Sequence, residues 1–428
     1  MYLILALLAV APTFNKDVAP ILYKNCVTCH RPGEVAPFSL LTYSEAKRWA
    51  PMIAQATAAH IMPPWKAEAG FGDFADARVL TEIQIATLKA WAASGTLEGD
   101  AKDKTAPPKF PDGWKLGPPD MIIEMPTSYD VPAEGPDVMR CFSIPLDLKE
   151  EMAIAAVEVR PGNRRVLHHT VIFLDPMHQA RALAAADPTN SYSCYGGPGV
   201  ATTGLMAGWA PGNETKRLPD GLAVVVAKGV DLVVQNHYHP DGKPESDKTS
   251  IGVYFQKGEV KKQLFGLPLL QARLRIPAGE NQYRTSMSYT TPIAVELAGL
   301  MPHMHYLGRE MKVTATLPSG EVKPLVWIKD WDFNWQLLYG FKEPMLLPAG
   351  TKFDLEAVYD NSEGNPKNPS KPPKEVRFGE MTTDEMCVAM MVFYTPHPAD
   401  QMVMGMALVQ QLKLKMSDLF PSRRSSTP

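Results

Sequence analysis

Residues 294–317 read AVELAGLMPHMHYLGREMKVTATL. Its two apolar runs, AVELAGLMPHMHYL and MKVTATL, alternate apolar with polar or β-branched residues. A period of two is the signature of a strand with one buried face. Pro318-Ser319-Gly320 then supplies a turn. The same pattern recurs in AIAAVEV (153–159), HHTVIFL (168–174), LAVVVAK (222–228), DLVVQNHYH (231–239) and TKFDLEAVY (351–359), with Pro-Gly, Asp-Gly and Pro-Ala-Gly turns between the runs. The spacing predicts an all-β region built as sandwiches. Two units fit, 120–275 and 276–420, each of ordinary domain size at roughly 150 residues.

Upstream the pattern changes. Residues 14–100 read as helical. Thr42-x-x-Glu45 and Thr81-x-x-Gln84 are capping-box signatures. Ile85, Leu88, Trp91 and Ala92 make one apolar face, and Gly95 ends that helix. Ahead of these helices, residues 25–30 read NCVTCH. Cys26-x-x-Cys29-His30 is the attachment signature of a c-type haem. A structural zinc cage would need a second cysteine pair to complete it, and the sequence offers none. The haem iron then takes His30 on one side. Met62, in HIMPPW (60–65), is the preferred second axial ligand, because Pro63 and Pro64 stiffen the chain after it and a thioether raises the haem potential. His60 and Met52 compete for that position. Residues 12–100 are thus expected to form a small all-α cytochrome c domain holding one haem, and the Pro- and Lys-rich stretch 101–119 a linker.

The first residues, MYLILALLAVAP, hold an apolar run too short to span a bilayer and suited to an export signal over 1–11, with Ala9-Val10-Ala11 as its small-residue cleavage site. No Lys or Arg precedes the run. Covalent haem attachment on the outer side of the bacterial inner membrane agrees with export, so a periplasmic location is expected. Residues 421–428 read as a disordered tail. The chain carries 43 basic and 46 acidic residues, a net charge of −3, which gives no reason to expect nucleic acid or an anionic membrane as partner. Of five cysteines, Cys141, Cys194 and Cys387 lie beyond the haem motif; in an oxidising compartment two can pair and one is left over.

Six of the ten histidines lie in three tight clusters: His168-His169, His237-x-His239 and His303-x-His305. Residues two apart on a strand point the same way, so His303 and His305 can share a metal, and so can His237 and His239. His168 and His169 are adjacent and can share one only where the strand is irregular, as at a bulge. Imidazole suits copper, zinc, iron and nickel; the 22 methionines, several beside histidines, favour copper. His178 and His397 read as surface residues. Cys387, His397 and Met402 suggest a blue-copper loop only loosely, because the Cys-to-His gap is long.

At this point the residues resemble a family. VLHHTVIFL (166–174), VVQNHYHPDG (233–242), PHMHYLG (302–308) and TTDEMC (382–387), with CFSIPLD (141–147) and the stretch 191–226, are similar to the copper type II ascorbate-dependent monooxygenases, over about 118–400. The resemblance implies a multidomain chain in which the cytochrome c domain precedes two all-β jelly-roll sandwiches carrying two mononuclear copper sites. It assigns His168, His169 and His237 to an electron-transfer copper, and His303, His305 and Met386 to the catalytic copper. His239 is then outside the ligand set, and Gln235 lies near the path between the sites. The implied reaction is hydroxylation of a substrate C–H bond with O2. The implied partners are O2, a small organic substrate and an external electron donor, either an ascorbate-like reductant or a periplasmic redox protein. The resemblance also pairs Cys141 with Cys194 and leaves Cys387 a buried thiol, its family partner position being Ala357. The peptide-hydroxylating members hold a substrate carboxylate with an arginine two residues before the His-x-His pair; that position is Met301 here, and family Asn and Tyr positions are Val388 and Met390. An apolar pocket does not compensate a desolvated carboxylate, so the expected substrate is weakly charged. The contrasting expectation is a haem- and copper-binding electron carrier that activates no O2.

Overall fold

The computed structural model describes residues 11–34, 36–111, 113–195, 197–210, 215–379 and 381–411. The expected export signal, apart from Ala11, and the expected tail at 421–428 lie outside them. The fold is mostly β with few helices. It divides into two compact units, Met1–Trp65 with Ala77–Pro111, and Lys66–Asp76 with Asp112–Pro428.

Among its described residues the first unit holds three α-helices, α1 (Ala19–Asn25), α2 (Tyr43–Ala58) and α3 (Glu82–Ala93). Both capping boxes form: the Thr42 hydroxyl accepts the Glu45 N–H at 3.3 Å while the Glu45 carboxylate accepts the Thr42 N–H at 2.9 Å, and Thr81 and Gln84 repeat the pattern. Each such cap stabilises its helix by about 1 kcal/mol. Phe14, Val18, Leu22, Ala46, Ile53, Leu88 and Trp91 form the core of this unit.

In the second unit an eight-stranded sheet runs in the order Met121–Glu124, Ser250–Phe255, Met152–Arg160, Leu222–Val226, Lys262–Leu270, Val388–Thr395, Val295–His303, Tyr339–Leu347. A five-stranded sheet (Tyr192–Ser193, Val138–Pro145, Asp231–Tyr238, Leu167–Asp175, Leu205–Trp209) packs on its first half: Phe142, Ile144, Ile172, Leu232 and Val234 meet Ile123, Ile154, Val226 and Val253. A four-stranded sheet (Tyr283–Thr290, Lys352–Tyr359, Gly308–Thr316, Val322–Ile328) faces the second half, with Phe353 against Phe393. The halves join through a short parallel pairing, Lys262 with Leu222 and Gln263 with Ala223. The strand Lys262–Leu270 pairs along eight residues with Val388–Thr395. It precedes residue 276 in the chain yet belongs by hydrogen bonding to the later half.

Lys66–Asp76, read from sequence within the helical stretch, pairs instead with strands of the second unit. Ala67 bridges Ile328, Phe74 bridges Phe341, and the Lys66 ammonium meets Asp330 at 2.7 Å. None of the helices among the described residues is long and apolar enough to cross a membrane.

Candidate metal centres

His168 and His169 open the strand Leu167–Asp175, and His237 nearly closes its neighbour Asp231–Tyr238. His169 lies directly opposite His237, and the register shifts between Leu167 and His169. That shift takes His168 out of strict alternation, so both adjacent histidines turn to the same side. The Nδ1 atom of His169 lies 3.2 Å from Nδ1 of His168 and 3.3 Å from Nδ1 of His237. The three rings can each offer a nitrogen within 4.8 Å of the others.

The proton inventory of this cluster is frustrated without a cation. The Asp137 carboxylate accepts the His237 Nε2–H at 2.9 Å, so the Nδ1 of a neutral His237 presents a lone pair. His169 Nδ1 offers a single site, one proton or one lone pair, to two neighbours, so it cannot make a full hydrogen bond to both at once. A metal accepting three imidazole nitrogens resolves the conflict, and the donor set suits copper. Burial, then the neighbouring His237, lowers the His168 pKa to about 4; the same causes hold His169 well below the ordinary histidine value. Neutral imidazoles are the form a metal needs.

Asp137 also accepts the His239 Nδ1–H at 2.6 Å, and the His239 side chain is 63% exposed. His239 therefore steadies the carboxylate from the solvent side. Burial alone would raise the Asp137 carboxyl, but hydrogen bonds from His237 and His239 outweigh it and bring it to about 2. Gln235 donates to the Cys194 carbonyl at 2.9 Å, which ties it to the Cys141–Cys194 disulfide; that bridge is formed. Cys387 is buried outside it.

The second cluster ends the strand Val295–His303. The His303 and His305 rings lie 5.1 Å apart, nearly perpendicular. His303 Nδ1–H donates to Gln336 Oε1, and His305 Nδ1–H donates to the Asp384 carbonyl at 3.1 Å. Both Nε2 lone pairs are thereby left to bind. Burial lowers both histidines, His305 to about 3. The Glu385 carboxylate, fully buried, accepts backbone N–H groups of His305 (2.8 Å), Leu307 (2.6 Å) and Met386 (3.1 Å). Burial pushes this carboxyl up to about 8 against the pull of those donors. Met386 thus follows directly on the residue that clamps the His305 turn, and the Tyr359 hydroxyl donates to its carbonyl at 2.8 Å.

Residues directly opposite on antiparallel strands share a face. His303 faces Val388 and Met301 faces Met390; Pro268 and Leu270 lie opposite Met390 and Val388 on the other side. His303 therefore sits on one face with Met301, Val388, Met390, Pro268 and Leu270. The alternate residues Leu300, Ala389 and Met391 point into the core.

In the first unit, Cys26 caps α1, and His30 N–H donates to the Cys26 carbonyl at 2.9 Å. His30 Nδ1–H donates to the Phe38 carbonyl at 3.2 Å, leaving Nε2 for an iron. Burial first, then Cys29, pushes the Cys26 thiol up to about 12. Met62 follows α2 through a turn in which its N–H and that of Ile61 both reach the Ala56 carbonyl. His60 is exposed there with φ 52°, and Met52 is 49% exposed. Of the remaining histidines, His178 pairs with Asp231 at 3.1 Å and His397 is exposed.

Four residues that touch the clusters have no role in the sequence reading: Asp137, Phe333, Gln336 and Glu385. Only Glu385 lies inside a quoted motif. The others reach the histidines from loops distant in sequence, and no local period announces them.

Residues 271–415 match the family model described as copper type II ascorbate-dependent monooxygenase, C-terminal domain. No curated protein matches the chain. Similar solved structures include the major capsid protein P2 from bacteriophage PM2 (9% identity, covering 64% of this chain and 96% of that one, TM-score 0.24) and the infectious bursal disease virus VP2 subviral particle (9%, 66% and 74%, TM-score 0.19). At such scores they carry no argument.

Proposed function

We propose that the chain, whose residues 271–415 match the C-terminal domain of the copper type II ascorbate-dependent monooxygenases, is an exported haem–copper monooxygenase. It hydroxylates a C–H bond of a small, weakly charged organic molecule with O2, and its electrons arrive through a haem. The observation that carries this reading is the pair of histidine clusters with prepared nitrogens: three Nδ1 atoms converging around His169, and two Nε2 atoms freed at His303 and His305.

Copper at both clusters would supply one-electron redox chemistry and an open position for O2. The protein supplies the rest. Asp137, Gln336 and the Asp384 carbonyl fix the tautomers of His237, His303 and His305. Met386 is the thioether candidate, and a thioether supports the reduced metal. The apolar face of Met301, Met390, Pro268 and Leu270 beside His303 favours a neutral substrate and offers no partner to a carboxylate. Cys26 and Cys29 would bind the haem covalently, and His30 and Met62 would hold its iron, in a cytochrome c domain. The chain then carries its own electron source at high effective concentration.

The test is a metal count followed by turnover. Two coppers and one haem per chain are expected. A panel of small neutral aliphatic and aromatic molecules should include one that stimulates O2 consumption, and His305→Ala should abolish that stimulation. Two coppers with no stimulation by any compound would favour an electron carrier; one copper or none would sink the reading.

A further inference from the structure

The loop 329–338 touches both histidine clusters, and Phe333 stands at the contact. Its ring stacks on His168 with centroids 5.4 Å apart and planes 12° from parallel. It meets His305 edge-on at 5.8 Å and 84°, and packs on Tyr306 at 4.6 Å. It is 6% exposed. The backbone around it is pinned to the second cluster. Trp331 Nε1–H donates to the His305 carbonyl at 3.0 Å. Gln336 donates to the Phe333 carbonyl at 2.8 Å and accepts from His303 with its other end. Lys367 reaches the Trp331 carbonyl at 3.3 Å.

A phenyl ring makes no hydrogen bond that either histidine could want. What it brings is volume, rigidity and the exclusion of water. In contact with a ring of each cluster, stacked on His168 and edge-on to His305, it limits how closely the two sets of metal-binding rings can approach. It also denies water the position from which a reactive oxygen species would be lost.

We propose that Phe333 is a positioning residue that sets the spacing of the two histidine clusters and keeps the gap between them dry. The proposal rests on reading both clusters as copper sites. Its test uses the full chain loaded with copper and oxidised, and needs no substrate. Continuous-wave electron paramagnetic resonance reads the interaction between the two Cu(II) spins. Deuterium modulation of the echo in heavy water reads solvent near the ions. Phe333→Ala should keep both coppers, lose most of the spin–spin broadening and gain several-fold in deuterium modulation. Phe333→Leu, which restores apolar bulk without an aromatic ring, should recover most of both signals. If Phe333→Ala does not fold, Phe333→Leu decides alone: near wild-type signals support the proposal and their loss overturns it. Two bound coppers with unchanged signals in Phe333→Ala would overturn it and leave the copper reading standing, as would Phe333→Leu behaving like Phe333→Ala. Fewer than two coppers in the wild type would remove the reading of function and the proposal together.

Discussion

Asp137 holds two histidines on one carboxylate, His237 from inside and His239 from solvent. Asp137→Asn keeps the size but loses the charge, and its amide can face His237 with the wrong polarity. Copper affinity at the three-histidine cluster should fall about 10–100-fold, the usual cost of losing a partner behind a ligand. The pair at His303 and His305 should be untouched, which copper titration followed by paramagnetic resonance resolves. The buried histidines also set a pH dependence. His168 and His305 titrate in the folded protein near 4 and 3, and His169 and His303 are lowered too. In the unfolded chain each would titrate near 6.5. Between those values the four histidines bind more protons in the unfolded state and outnumber the one buried carboxyl, Glu385, whose raised pKa acts in the opposite sense, so stability rises with pH across the window and is lost as pH falls from about 6.5 towards 4. Metal-free protein should therefore show a clearly lower urea midpoint at pH 5 than at pH 7. Copper loading should hold the pH 5 midpoint up, because the metal occupies the same lone pairs. Equal midpoints in the metal-free protein would mean that these histidines are not neutral and buried.

At the scale of elements, the candidate ligands sit where strands end or break. Period-two patterns made the strands legible, because alternate burial is what a half-exposed sheet imposes on a sequence. The same rule made a pairing of His303 with His305 the expectation; the strand ends at His303, and the loop beyond it brings the His305 ring within 5.1 Å. The adjacency of His168 and His169 announced that a break in register was needed; Leu167 and His169 show where it falls. Sheet order was not legible: the parallel join of Lys262 to Leu222 is a non-local contact with no sequence period. Nor was the turn after His305, which depends on one buried carboxylate. Glu385→Gln leaves at least one of the N–H groups of His305, Leu307 and Met386 facing an amide NH2. An orphaned buried donor costs about 1–3 kcal/mol. Thermal unfolding should reveal that loss, and copper at His303 and His305 should be released first on dialysis. A variant with wild-type stability and full copper content would show that the clamp is dispensable.

For the whole molecule, sequence composition separated a helical beginning from a β remainder, yet it hid the excursion of Lys66–Asp76 into the second unit. That stretch contributes main-chain bridges at Ala67 and Phe74 and the Lys66–Asp330 ion pair, none of which needs a recognisable pattern. The chain therefore crosses between its units near residues 65, 76 and 111. A haem carried on the same chain as copper would be a built-in electron source. This matters only if the haem serves copper, which one kinetic comparison can decide. With the haem reduced beforehand and no other reductant present, mixing with O2 and an active substrate should reoxidise it in step with product formation. His305→Ala removes a candidate ligand of the cluster proposed to activate O2 and leaves Cys26, Cys29 and His30 in place. Its haem band should then stay reduced over the time in which the wild type completes reoxidation. Met386→Ala should behave likewise if its sulfur is the third ligand. His30→Ala should slow reduction of copper by a protein donor, while ascorbate supplied directly still supports hydroxylation. If the haem of His305→Ala reoxidises as fast as the wild type, the haem reacts with O2 on its own, and the order of electron flow argued for this chain is wrong.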